Sequence, residues 1–348
     1  MDIREYTDLL SSLISVPSVS RDEKAAADVL EAWMKGHGIC PQRKGNNLWV
    51  SNCEPDGRPT IMLNAHIDTV KPASGYTRDP FAPAIEDGKL YGLGSNDDGG
   101  SLVALLAVFM QMKDSQQPYR LIYSATAEEE VSGREGLDYI LDEIGEVTLG
   151  IMGEPTGMQM AVAERGLMVL DCTAEGKSGH AARNEGVNAI YKALEDIEWF
   201  RTHQFEKVSE YLGPVKMSVT QINAGTQHNV VPDKCTFVVD VRPNGMYSNI
   251  ELLGMIKESV SCQVKERSTR INSSNIDVKH PVIMRGISLG LRTFGSPTTS
   301  NQALVSFPTV KIGPGDSARS HSADEYIRID EIEQAVEIYT ALLDGLEL

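Results

Sequence analysis

The sequence predicts an α/β fold, a mostly parallel sheet flanked by helices, with a smaller α+β domain of ferredoxin-like pattern inserted into it. Three observations support this. Strand-like and helix-like runs alternate from the N-terminus to about Pro155, as in a parallel sheet covered by helices. From Gly166 the order becomes β-α-β-β-α-β, complete by Ile271. The first style then returns, with an apolar run at Thr309 to Ile312 and a last helix. These shifts predict a discontinuous larger domain at 1–164 and 274–348 and an insert at 165–273. A length of 348 residues is more than one ordinary core needs, which agrees with two domains.

The first helix is expected over about Ile3 to Ile14. Ser20 with Glu23 then reads as a capping box opening a second helix, which packs Ala26, Val29, Leu30, Trp33 and Met34 and stops near Gly36. The helix over Gly100 to Lys113 is apolar nearly all round, as expected of one buried against a sheet. In the insert the order is strand (Leu167 to Ala174), helix (Val187 to Arg201), strand (Val215 to Ile222), strand (Cys235 to Arg242), helix (Asn249 to Val260) and strand (Val264 to Ile271). The last helix, Asp330 to Leu343, carries Ile332, Ala335, Val336 and Leu342 at helical spacing. Ser296 to Ser306, polar and rich in Ser and Thr, is the expected mobile loop.

A net charge of −17 without a basic cluster argues against nucleic acid and anionic membrane as partners. The five cysteines are scattered, with no CxxC pair, and read as reduced and mostly buried thiols. The first ten residues show neither a cationic start nor a long apolar core, so no signal peptide is expected. With no stretch near the roughly 20 apolar residues a membrane span needs, a cytoplasmic protein is the expectation.

The chemistry concentrates where apolar runs end. Thr60 to Asn64 leads into His66-Ile-Asp68, and a strand there puts both side chains on one face. That is the arrangement of a metal-ligating histidine with a carboxylate that orients it. Arg120 to Ala125, Val147 to Gly153 and Thr309 to Gly313 likewise end in Glu128-Glu129-Glu130, in Glu154 and, after a short loop, in His321. Residues following several strands meet at the carboxyl edge of an open α/β sheet. His66, Asp97, Glu130, Glu154 and His321 all fall at such positions, and mixed imidazole and carboxylate ligands suit zinc or a similar ion. Five ligands exceed what one catalytic zinc with an open position uses, but they serve two ions if Asp97, in the loop Gly92 to Gly100, bridges them. Glu129, beside the ligand Glu130, is then the candidate general base. Singly, each of these residues has an ordinary explanation: a core histidine with a partner, a solvated acidic turn, a loop glutamate before Pro155, a surface histidine. Jointly, the ordinary explanations need several coincidences.

The motifs LNAHIDTV (63–70), YGLGSNDDGG (91–100), ATAEEE (125–130), GEPT (153–156), SGHAA (178–182), HNVVPD (228–233), DVRP (240–243) and GPGDSARSHSADEY (313–326) resemble the dinuclear zinc deacylases and peptidases. That family includes acetylornithine deacetylase, succinyl-diaminopimelate desuccinylase, aminoacylase and glutamate carboxypeptidase, and the resemblance covers nearly the whole chain. It implies two zinc ions, with cobalt or manganese as alternatives. His66 and Glu154 would hold one, Glu130 and His321 the other, with Asp97 bridging, Asp68 orienting His66 and Glu129 as base. It also implies a cis peptide at Asp97–Asp98. It makes the larger domain a zinc-peptidase-like catalytic domain and the insert a lid and dimerisation domain. His180 would reach from a partner subunit of a homodimer to the scissile carbonyl, and Asn229 and Arg242 would hold the substrate carboxylate. The activity implied is removal of the N-acyl group from a small N-acyl amino acid. Within the family the tail resembles acetylornithine deacetylase and its N-succinylornithine relatives, hence arginine biosynthesis. The alternatives are succinyl-diaminopimelate desuccinylase and a dipeptidase or carboxypeptidase. A binding protein that had lost its chemistry would lack a ligand or the base, and none is missing. Two positions depart from the family: Gly99, where a lysine is common, and Asn301, often an acid. Arg242 as a strand-end ion pair and Asn229 as a turn residue stay open on local grounds.

Overall fold

The structure, a computed structural model, describes residues 2–183 and 185–348. The chain divides into two compact units, one of Met1–Val162, Asn275–Phe294 and Ser300–Leu348, the other of Ala163–Ser274 and Gly295–Thr299.

The larger unit is built on a sheet whose strands run in the order Gln42–Lys44, Asn47–Ser51, Arg120–Thr126, Thr60–His66, Leu149–Met152, Thr309–Lys311, Met160–Glu164, Ser274–Asn275, with Thr293–Ser296 also paired to Met160–Glu164. Arg120–Thr126, Thr60–His66, Leu149–Met152 and Thr309–Lys311 pair in parallel. Gln42–Lys44, Asn47–Ser51 and Met160–Glu164 pair antiparallel, so the sheet is mixed and not mostly parallel. The reason is connection length: Lys44 and Asn47 are joined by two residues, enough for a hairpin but not for the crossover a parallel pair needs.

Thr60–His66 and Arg120–Thr126 are buried along their whole length, which accounts for their apolar runs. Met62 and Ile122 face Leu137, Ile140 and Ile144 on one side of the sheet. On the other side Tyr123 meets Phe109 of the helix Gly100–Met112, ring centroids 6.3 Å apart. That helix packs between the sheet and the helices Ile3–Ile14 and Ile329–Leu343, which explains why it is apolar all round.

Two local expectations fail. The second helix, Lys24–Gly36, has no side-chain cap: Ser20 donates to Asp68 instead (2.7 Å), and Glu23 accepts from the backbone of Arg21 and Glu128. A capping box does form elsewhere, at Ser248 and Glu251. The segment expected to be mobile is packed: Asn301 and Gln302 are buried, and Gln302 Nε2 donates to Thr309 Oγ1 at 2.9 Å. Of the cysteines, Cys172 and Cys235 are buried and Cys40 is exposed. Among the described residues no helix is long and apolar enough to cross a membrane.

The smaller unit carries an antiparallel sheet in the order Lys216–Ala224, Lys234–Arg242, Met168–Glu175, Gln263–Glu266, with helices Ala189–Thr202 and Asn249–Ser259. Alternate residues Met168, Leu170, Cys172 and Ala174 turn inward onto Ala193, Phe200, Leu252 and Ile256. A short ribbon pairs His180 with Val230.

Leu105 is fully buried in the helix Gly100–Met112. Leu105→Ala is expected to cost about 2–5 kcal/mol, read as a lowered urea midpoint with an unchanged slope.

Candidate metal centre

The four parallel strands deliver the site. His66 ends its strand opposite Thr126, and Asn64 lies opposite Met152, so their carboxyl ends open side by side. The turn of Glu128 to Glu130 follows Thr126, Glu154 follows Met152, and the segment carrying His321 follows Thr309–Lys311. Asp97 arrives from the loop ahead of the helix Gly100–Met112, with the Asp97–Asp98 peptide cis.

All five expected ligands lie in the larger unit, and ligand atoms converge in two overlapping sets. His66, Asp97 and Glu130 form one and His66, Glu129 and Glu154 the other, with the atoms of each set within 4.8 Å of one another. His66 Nε2 is 3.2 Å from Asp97 Oδ1. His321 Nε2 stands 2.9 Å from Glu130 Oε2 and 3.7 Å from Asp97 Oδ2. Histidine nitrogens and carboxylate oxygens thus face one another across a small volume, a donor set that fits first-row divalent ions.

Asp68 meets the His66 ring through two of its oxygens. His66 Nδ1 donates to the Asp68 backbone oxygen at 2.8 Å, with the carboxylate Oδ1 farther off at 3.5 Å. The buried Asp68 carboxylate accepts from the backbone N–H of Glu129 (3.0 Å) and Glu130 (3.1 Å) and from Ser20. It therefore fixes the acidic turn as well as the ring.

Crowding shows in the proton affinities. Burial, reinforced by the neighbouring carboxylates, pushes Glu129 up to about 8. Burial likewise raises Glu154, against the pull of Lys311. Burial alone would lower His66, but its bonds to Asp68 and Asp97 outweigh that and hold it well above the usual imidazole range. The bond to Glu130 raises His321 to about 9. Asp97 is buried too, yet its contact with His66 keeps it low.

Sequence reasoning assigned no role to the residues that hold the ligand loops. Glu325 accepts from the backbone of Gly94, Asn96 and Asp97. The Asn96 side chain accepts from Asp316 N at 3.0 Å and donates to Asp316 O at 3.1 Å. Glu325 sits inside the tail motif, but nothing in its spacing announces a partner in the loop near residue 97. His321 has φ of 55°, left-handed for a residue with a Cβ, at a cost on the order of 1 kcal/mol or more that the surrounding contacts must hold.

Both departures have structural accounts. A Cβ on Gly99 would lie 2.4 Å from Gly94 O and 2.5 Å from Leu10 Cδ1, so this loop leaves no room for a lysine. Asn301 donates to Asn64 Oδ1 at 3.0 Å and Thr126 Oγ1 at 3.1 Å, joining neighbouring strands just below His66.

The other expected site residues lie in the smaller unit. His180 lies in the short ribbon and Asn229 directly before its second strand, where Ala181 N donates to Asn229 O at 3.1 Å. Ala182 N donates to His180 Nδ1 at 3.2 Å, which places the ring proton of a neutral His180 on Nε2. Arg242 is paired with Asp240 in the same strand, through Nε at 2.7 Å and Nη2 at 3.0 Å.

Known proteins resemble this chain along nearly its whole length. The family described as Peptidase family M20/M25/M40 matches residues 62–345, and the chain belongs to that family of hydrolases. Succinyl-diaminopimelate desuccinylase of Cereibacter sphaeroides is 26% identical, covering 96% of this chain and 97% of that one. Acetylornithine deacetylase of Proteus mirabilis is 25% identical, covering 98% and 96%. Among solved structures, the aminopeptidase PepT of Bacillus cereus superposes with a TM-score of 0.78 at 19% identity, covering 99% and 98%. A dinuclear metal-binding peptidase of the M20 family from Bacillus subtilis superposes at 0.74 with 16% identity, covering 98% of each chain.

The raised groups determine a pH response. Stability from Glu129 is full below about 4.5 and lost as pH rises through about 8; that from His321 is full below about 6.5 and lost through about 9. Chelator-treated protein is therefore expected to melt at progressively lower temperature from pH 5 to pH 9, and added zinc to restore the loss at the alkaline end. A flat profile without metal would contradict this.

Proposed function

We propose that the protein is a two-zinc amidohydrolase that removes the N-acyl group from an N-acyl amino acid, with N-acetylornithine or N-succinylornithine as first choice of substrate. The observation that carries this reading is the convergence of His66, Asp97, Glu130, Glu154 and His321 around one small volume, with Glu129 beside it. His66 and Glu154 would hold one ion, Glu130 and His321 the other, and Asp97 would bridge. When bound, such ions lower the pKa of water and polarise a carbonyl oxygen.

Glu129 takes the proton of the attacking water and returns it to the leaving amine nitrogen. A carboxylate beside Glu130 suits both transfers once cations offset the crowding that otherwise keeps it protonated. His180, with its proton on Nε2, donates to the carbonyl oxygen as charge develops there. Asn229 and Arg242 bind the substrate carboxylate, Arg242 through Nη1, the nitrogen its Asp240 pair leaves over. The smaller unit serves as lid and dimerisation domain of a cytoplasmic homodimer, in which a second copy supplies His180. Desuccinylation of succinyl-diaminopimelate is the second reading, favoured by the desuccinylase likeness over nearly the whole chain.

Initial rates on N-acetylornithine, N-succinylornithine, N-succinyl-diaminopimelate and an unblocked tripeptide, side by side, test the assignment. An acyl-ornithine is expected to lead and a chelator to abolish turnover. Preference for the tripeptide would overturn the deacylase reading. Glu129→Gln and His180→Ala are each expected to lower kcat by about 10²–10⁴-fold with the metal content by elemental analysis unchanged.

A further inference from the structure

The carboxylate of Glu325 is 2% exposed and faces three backbone donors of one loop. Oε1 accepts from Asn96 N at 2.8 Å and Asp97 N at 2.9 Å, and Oε2 from Gly94 N at 3.1 Å. A carboxylate, with two acceptor oxygens and no donor, satisfies such an arc, and bonds to a charged acceptor are the stronger kind. The contacts run both ways, since Gly92 N donates to Glu325 O at 3.0 Å. Ahead of His321, the Asn96 side chain grips both backbone atoms of Asp316 and donates to Ser320 Oγ at 3.3 Å. The segment bearing His321 and the loop bearing Asp97 are therefore fastened to each other on both sides of the histidine.

We propose that Glu325 is a positioning residue for the metal pair: it locks the Asp97 backbone to the His321 segment, so that seating one ion prepares the ligands of the other and the two bind cooperatively. This rests on the two-ion reading above. Because Asp97 is the candidate bridge and His321 a ligand of one ion, displacing either carries the other with it. Such coupling is reciprocal, each ion raising the affinity for its neighbour by the same factor.

The test is titration of chelator-stripped protein with cobalt(II), followed by calorimetry and visible absorption below the melting temperature of every variant. The wild type is expected to take up two ions in one step. Glu325→Gln, whose amide turns an NH₂ toward one of the backbone donors, is expected to split uptake into two steps, with the second ion at least tenfold weaker. Its kcat falls while KM holds. Asp196→Asn removes a buried carboxylate that accepts from Ser261 and Cys262 in the smaller unit, and controls for destabilisation alone; it is expected to keep one-step uptake. Single-step uptake by Glu325→Gln at wild-type affinity, or splitting by Asp196→Asn to the same degree, overturns the proposal. A wild type that binds no ion overturns the two-ion reading itself, and the role of Glu325 with it.

Discussion

Negative charge gathered out of water is the constraint on which the larger unit depends. Two unit charges about 4 Å apart in a partly screened interior repel by about 4 kcal/mol. Here Glu129, Glu130, Glu154 and Asp97 crowd around a single buried imidazole. Such a cluster persists only if protons or cations offset it, and the raised affinities of Glu129 and Glu154 are the protein's own response. A site that must accept protons when nothing better is at hand is well matched to dications, which supply more charge in less space.

The ligand loops are held by one device used three times. Asp68 accepts the N–H groups of Glu129 and Glu130, Glu325 those of the Asp97 loop, and Glu23 that of Glu128. Each is a buried carboxylate from one segment bonded to the backbone of another. Amide hydrogens partly neutralise an anion without bringing a competing side chain into the centre. The carboxylates of Asp97 and Glu130 are left to point inward, toward His66 and His321, while the anchoring charges sit behind them. Beneath this layer, the Asn301 amide nitrogen bonds to Asn64 and Thr126 and so ties adjacent strands under the site.

Much of this was legible in the chain, for a physical reason. Strands buried on both faces must be apolar throughout, so the run into His66 and the run into Glu128 mark both an element and its end. The ferredoxin-like order of the smaller unit was legible through its alternation. The antiparallel margins were not, because strand direction depends on connection geometry that apolar periodicity does not encode. Ser20 and Glu23 have the spacing of a cap yet serve Asp68 and the acidic turn, since a tertiary bond within the buried site outweighs a local cap. Glu325 was hidden for the same reason. Its partners lie more than two hundred positions earlier, and no local pattern reports contacts of that span.

That span has a consequence for biosynthesis. As the chain leaves the ribosome, His66, Asp97, Glu130 and Glu154 emerge ahead of the smaller unit, whereas His321 and Glu325 arrive only after it has been made. An acidic, half-furnished cleft must therefore wait while the smaller unit is made, and the centre can close only when the segment carrying His321 folds back onto it. Translation products that stop within the smaller unit thus lack both the His321 imidazole and its anchor.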